Sequence, residues 1–251
     1  KKYEKRFAIR RRHAQLLVEL GEPEPAIEAY REILKLTPGE RATREEFVGV
    51  LAKLGKQDEA IKELESLSAL HEKDAELRFH LASLLQEAKK TDQAIAAVDR
   101  YLETSDGSEY AHLRAARLLE RFDDKAAAAR LYEKMTQKFA ESSAAQEAYA
   151  AFLYANGKKS EAIERWQALA KNGDVAHILQ IARTLSTRNE NDAALALLKD
   201  GFEKAKTDPL YLGQMVTTAL AIKQYDEAMP WANERVRRAE QPADLETAVD
   251  Q

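Results

Sequence analysis

The sequence has no cysteine. That removes disulfides, thiolate metal ligands and a cysteine nucleophile at once. It suits the cytoplasm, and it suits equally a bacterial periplasmic protein that avoids mispairing. Glycine and proline are scarce, 9 and 6 among 251 residues, so few positions interrupt regular structure. No apolar run approaches the roughly 20 residues that cross a bilayer, and no signal peptide is visible. Charge of one sign is lacking too: the formal net charge is −4. A nucleic-acid binder ordinarily carries a basic excess. What is abundant is 45% hydrophobic and 33% charged residues, rich in the strong helix formers Ala, Leu, Glu, Lys and Arg.

An alanine marks a repeating register: Ala26, Ala60, Ala94, Ala128, Ala162, Ala194 and Ala228. Each follows the last by 34 residues, except that Ala194 follows Ala162 by 32. Such a period is the mark of stacked helical hairpins. Setting the marker alanine as position 20 aligns small residues at position 8: Ala14, Val48, Ala82, Ala116, Ala150, Ala182 and Val216. Position 11 reads Leu17, Leu51, Leu85, Leu119, Leu153, Leu185 and Ala219, and position 24 reads Tyr30, Leu64, Val98, Tyr132, Trp166, Leu198 and Ala232. The steps from 8 to 11 and from 20 to 24 are helical, so each set forms one face of a helix. Small residues let the paired helices approach closely while larger ones fill the sides.

This pattern resembles the tetratricopeptide repeat. The resemblance covers about residues 7 to 242, and it rests on the alanine at position 20, the small residue at position 8, the turn glycines Gly21, Gly55 and Gly157, and Thr37-Pro38. It implies an all-α fold, a right-handed superhelical α-solenoid of about seven 34-residue repeats at 7–40, 41–74, 75–108, 109–142, 143–176, 177–208 and 209–242. Residues 243–251 read as the opening of a truncated further helix within one solenoid spanning 1–251. Since the chain starts at Lys1 without Met, it reads as a piece of a longer array whose flanks have room for an anchor, a barrel or an enzyme. The family aromatic at position 4 is replaced throughout, by Arg10, Arg44, Arg78, His112, Gln146, Ile178 and Leu212.

Local features add expectations. Gly21, Gly55, Gly157 and Asn189 suit left-handed helix ends. Thr91 and Ser160 resemble N-caps. Pro230 predicts a kink or a delayed helix start. The two-residue deletion falls around 171–174. Gly201, where other repeats carry Ile33, Leu67, Tyr101, Met135 and Leu169, predicts a looser contact between repeats six and seven.

A search for chemistry finds little. The five histidines form no ligand set, and His13, at a core-facing position, is expected to be partly buried. There is no phosphate loop and no nucleophile elbow. The stretch Asn189 to Asp192 lacks the glycine and terminal glutamate of a calcium loop and reads as a turn and cap. The basic run Lys1, Lys2, Lys5, Arg6, Arg10, Arg11 and Arg12 reads as a solvated face. No catalytic, cofactor or metal site is expected.

The resemblance places the first helix of each hairpin on a concave groove. There Phe79, Gln86, Tyr110, Arg114, Arg117, Arg121, Tyr154 and Arg183 are the candidate contacts for a partner protein or peptide, since aromatics and arginine anchor interfaces. The Lys/Asn carboxylate clamp of family members that bind chaperone tails has no match at positions 5 and 9. The reading is a non-enzymatic interaction scaffold, without nucleic acid and without a membrane segment in this stretch. Long degenerate arrays of this kind resemble bacterial periplasmic scaffolds of exopolysaccharide export, which favours the periplasm and biofilm secretion. RNA binding and a regulatory arm of a larger enzyme stand as alternatives.

Overall fold

The computed structural model describes residues 2–122 and 124–239, with side chains set aside at 2–6 and 239. The expected helix at 243–251 lies outside the described residues. The described chain is all-helical, fourteen helices paired as seven hairpins in series, a tetratricopeptide-like α-solenoid. The first hairpin is α1 (Lys2–Glu19) and α2 (Pro23–Leu36), the second α3 (Arg41–Lys53) and α4 (Gln57–Leu70), the third α5 (Ala75–Glu87) and α6 (Thr91–Thr104). The fourth is α7 (Glu109–Arg121) and α8 (Lys125–Lys138), the fifth α9 (Ser143–Ala155) and α10 (Lys159–Asn172). The sixth is α11 (Val175–Ser186) and α12 (Asn191–Ala205), and the seventh α13 (Pro209–Ala221) and α14 (Tyr225–Ala239). The first helix of a hairpin is its A helix, the second its B helix. The chain divides into two compact blocks, residues 1–135 and 136–251.

The register alanines are the core. Ala26, Ala60, Ala94, Ala128, Ala162 and Ala194 are fully buried and Ala228 is 2% exposed. A larger side chain at any of them would push paired helices apart, at a cost of about 1–3 kcal/mol. Leu51, Leu85, Leu119, Leu153 and Leu185 at position 11 are buried as well, and so are Tyr30, Tyr132 and Trp166 at position 24.

Position 11 also closes the turn inside six of the hairpins. The backbone N–H groups of Glu22, Lys56, Lys90, Lys158, Glu190 and Gln224 donate to the carbonyls of Leu17, Leu51, Leu85, Leu153, Leu185 and Ala219 at 2.9–3.0 Å. The residue before each donor has positive φ: Gly21, Gly55, Lys89, Gly157, Asn189 and Lys223. This is the six-to-one bond of a left-handed helix end. The B helices therefore start from a turn, and those after Lys56, Lys90, Lys158 and Glu190 have no side-chain cap. Thr91 and Ser160, expected as caps, lie inside α6 and α10 instead. Asp124 is the exception, accepting from Ala127 N–H at 2.9 Å at the start of α8. The A helices are capped by Glu40, Asp74, Ser108, Ser142, Asp174 and Asp208, each accepting a backbone N–H.

Position 4 has a local task. Arg44 donates to the Pro38 carbonyl at 2.7 Å and pairs with Glu63. Arg78 donates to the Glu72 carbonyl, and His112 Nδ1 lies 2.8 Å from the Ser108 carbonyl. Gln146 Nε2 reaches the carbonyls of Thr136 and Ala140 at 3.4 Å. In hairpins six and seven the slot is apolar, with Ile178 and Leu212 buried.

The loose contact expected at Gly201 is overturned. The space above Gly201 is filled: Tyr211 is fully buried and its hydroxyl donates to the Leu198 carbonyl at 2.7 Å. A Cβ at 201 would collide with that hydroxyl and sit 3.0 Å from Ile178 Cδ1. The contact is thus close, not loose. Helix α14 starts at Tyr225 and carries Pro230 inside it, so its start is not delayed. The deletion falls in the link from α10 to α11, where only Gly173 and Asp174 separate the helices.

Candidate partner-binding face

The candidate residues all stand on A helices. In the first block Phe79 and Gln86 are on α5, and Tyr110, Arg114, Arg117 and Arg121 on α7. In the second, Tyr154 is on α9 and Arg183 on α11.

Arg114 is a brace between hairpins three and four. Its guanidinium lies 3.9 Å above the Phe79 ring and forks onto Glu76, with Nη2 to Oε2 at 3.0 Å. Stacking and a forked ion pair are the two contacts a planar guanidinium makes best. The hydrogen bond from Arg114 holds the Glu76 carboxyl below its usual range. Phe79 meets Tyr101 edge-on at 5.2 Å. Gln86 Nε2 donates to the Arg121 carbonyl at 3.1 Å. Phe79, Gln86 and Arg114 are therefore engaged within the array.

Tyr110, Arg117 and Arg121 are more open, although the Tyr110 ring lies 5.5 Å from the Arg114 guanidinium. Tyr110 is 68% exposed, and both arginine side chains are exposed. Neither arginine makes an ion pair among the described residues. Arg117 stands beside Tyr132, whose hydroxyl donates to Glu120; burial pushes that phenol up, and the arginine charge opposes the shift. Elsewhere in this block some charges between hairpins are paired, as in Arg31 with Glu59 at 2.6 Å and Lys90 with Asp58 at 2.6 Å. Each such surface pair contributes about 0–1 kcal/mol.

In the second block Tyr154 is committed to structure. Its hydroxyl lies 2.6 Å from Glu190 Oε1 and 3.1 Å from the Arg188 carbonyl, and Lys159 meets the same carboxylate at 3.2 Å. Those hydrogen bonds, Tyr154 first, lower the Glu190 pKa. Arg188 covers Trp166 at 4.9 Å. Arg183 is exposed and its Nε reaches Gln214 Oε1 at 3.4 Å.

His13 is exposed, contrary to expectation. Position 7 faces the preceding hairpin, as the stacking of Phe47 on Tyr30 at 5.5 Å shows, and α1 is the first described helix. Of the basic run, Arg11 pairs with Glu46 and Arg12 with Glu19. Among the described residues no group of three or more His, Asp or Glu is placed to hold a metal, and no helix is long and apolar enough to cross a membrane. Sequence reasoning missed one feature of this face, a recess of about 300 Å³ between α3 and α5, bordered by Gly49.

Comparison with known proteins gives a family match for one segment. The tetratricopeptide repeat model matches residues 51–117. No curated protein matches the sequence. Among solved structures, a tetratricopeptide repeat protein from Parabacteroides merdae is similar at 16% identity and TM-score 0.48, over 95% of each chain. MamA 41-end from Desulfovibrio magneticus RS-1 is similar at 13% identity and TM-score 0.45, over 66% of this chain and 93% of its own. YrrB, described as a tetratricopeptide repeat protein with an unusual peptide-binding site, is similar at 16% identity and TM-score 0.38, over 72% of this chain and 94% of its own. The matched segment is similar to tetratricopeptide repeats, and the hairpins on both sides continue the same register of buried alanines.

Proposed function

We propose that the chain is a non-enzymatic binding array that takes a protein or peptide partner on its A-helix face. The observation that supports this best is the group Tyr110, Arg117 and Arg121 on α7: an exposed ring and two exposed guanidinium groups on one helix, the latter without ion pairs among the described residues. Guanidinium groups bind carboxylates in a forked geometry, so an acidic stretch of the partner belongs there. The test is affinity capture with the chain and with the double variant Arg117→Glu, Arg121→Glu, compared by quantitative mass spectrometry. Proteins held by the first and lost by the second, with unchanged circular dichroism, support the reading. Equal capture by both removes α7 as the contact surface.

A narrower proposal assigns the array to the bacterial periplasm, as a scaffold for exopolysaccharide secretion. The absence of cysteine and the length of the degenerate array support it. Cell fractionation tests it, and recovery of the protein in the cytoplasm would overturn it.

A further inference from the structure

Three glycines interrupt helices from within: Gly49 in α3, Gly201 in α12 and Gly213 in α13. Glycine is a poor helix residue because it has the most backbone freedom to lose. Two of the three have a neighbour that accounts for them. A Cβ at 201 would meet the Tyr211 hydroxyl, and one at 213 would lie 3.2 Å from Arg235 Cζ. Gly49 has no such neighbour. A Cβ there meets nothing within 4 Å, and its φ is not left-handed. Neither packing nor backbone geometry requires glycine at this position.

What the missing side chain does is open the recess between α3 and α5. Leu64 and Leu84, both buried, line it together with Val48. Glu45, His80, Ser83 and Glu87 stand on its more exposed border. Glu45 shares Arg41, whereas Glu87 makes no ion pair among the described residues. An apolar floor with carboxylates above it suits a side chain that is aliphatic along its stem and cationic at its tip. The bare helix surface at Gly49 lets a bound backbone come close.

We propose that this recess takes a lysine side chain of a bound peptide, with the stem against Leu64 and Leu84 and the ammonium toward Glu45 and Glu87. The proposal rests on the A-helix face being the binding surface, and it gives the partner a second feature. Its lysine enters between α3 and α5 while its acidic stretch meets Arg117 and Arg121.

The experiment is a methyl NMR titration of the whole chain with acetylated hexalysine amide, and with hexaglutamate as control. Saturable shifts are expected at Val48, Leu64 and Leu84 with hexalysine only. Gly49→Leu, which fills the recess, is expected to weaken binding at least tenfold without lowering the melting temperature. Glu87→Gln is expected to weaken it severalfold and serves where the glycine variant misfolds. Binding to Gly49→Leu as to the parent chain, or shifts spread equally to leucines outside the recess, would overturn the assignment. If hexalysine leaves the recess untouched while the Arg117/Arg121 variant still loses partners, the recess proposal falls and the binding face stands. If both fail, the face itself is wrong.

Discussion

Hairpins two to five and hairpins six and seven solve the same joint differently. In the first group four residues link each B helix to the next A helix, as at 37–40, 71–74, 105–108 and 139–142. A link of that length carries backbone carbonyls that need donors. Position 4 supplies them, through Arg44, Arg78, His112 and Gln146. In the second group the links shorten to 173–174 and 206–208. Lys204 now approaches the carbonyls of Lys171 and Gly173 at 3.3 and 3.4 Å, and position 4 turns apolar. The replaced family aromatic thus follows link length. The interior glycines divide the same way: Gly49 leaves space open, whereas Gly201 and Gly213 face a neighbouring side chain.

The largest effect that probes this contrast is expected at Ile178. Ile178→Ala removes a side chain 2% exposed and should cost about 2–5 kcal/mol in denaturant unfolding. Arg78→Ala, at the same position of a polar hairpin, should cost far less; equal costs would erase the distinction. Next comes Arg44→Leu, which imitates the apolar group inside a long link. It leaves the Pro38 carbonyl and Glu63 without their donor and should cost about 1–3 kcal/mol. A neutral result would show that the donor is dispensable. Ala60→Leu and Ala194→Leu, one from each group, should both lose about 1–3 kcal/mol, because the register alanine is common to all hairpins. A loss in only one would mean that the groups do not share a core.

The smallest effect concerns pH. Arg114 holds the Glu76 carboxyl below its ordinary value. Its contribution is therefore present above the ordinary glutamate range and is lost as pH falls through the lowered pKa. The pair is largely exposed, so Glu76→Gln should cost under about 1 kcal/mol at pH 7. The difference from the parent should vanish in acid. A difference that persists or grows at pH 2 would contradict the pairing.

Much of this was legible in the sequence. The 34-residue step gave the hairpins, the register alanines gave the core, and the shorter fifth step located the deletion. The partners were not legible, because they come from neighbouring repeats. Arg114 meets Glu76 across 38 residues, and Tyr154 meets Glu190 across 36. Residue type alone cannot separate an open arginine from a paired one, so Arg114 and Arg117 looked alike. Thr91 looked like a cap because the left-handed turn before its helix is carried by Lys89, which gives no turn signal; at Ser160 the turn glycine Gly157 was visible, but α10 already starts at Lys159. Gly49 was visible as a residue, but only its surroundings show that its space is empty.

The most direct measurement is the paired unfolding of Gly49→Ala and Gly201→Ala. If one glycine leaves room for a ligand and the other makes room for Tyr211, Gly49→Ala should raise stability by up to about 1 kcal/mol, and Gly201→Ala should lower it as the new methyl displaces the tyrosine hydroxyl. Shifts in the same direction for both variants would contradict the account.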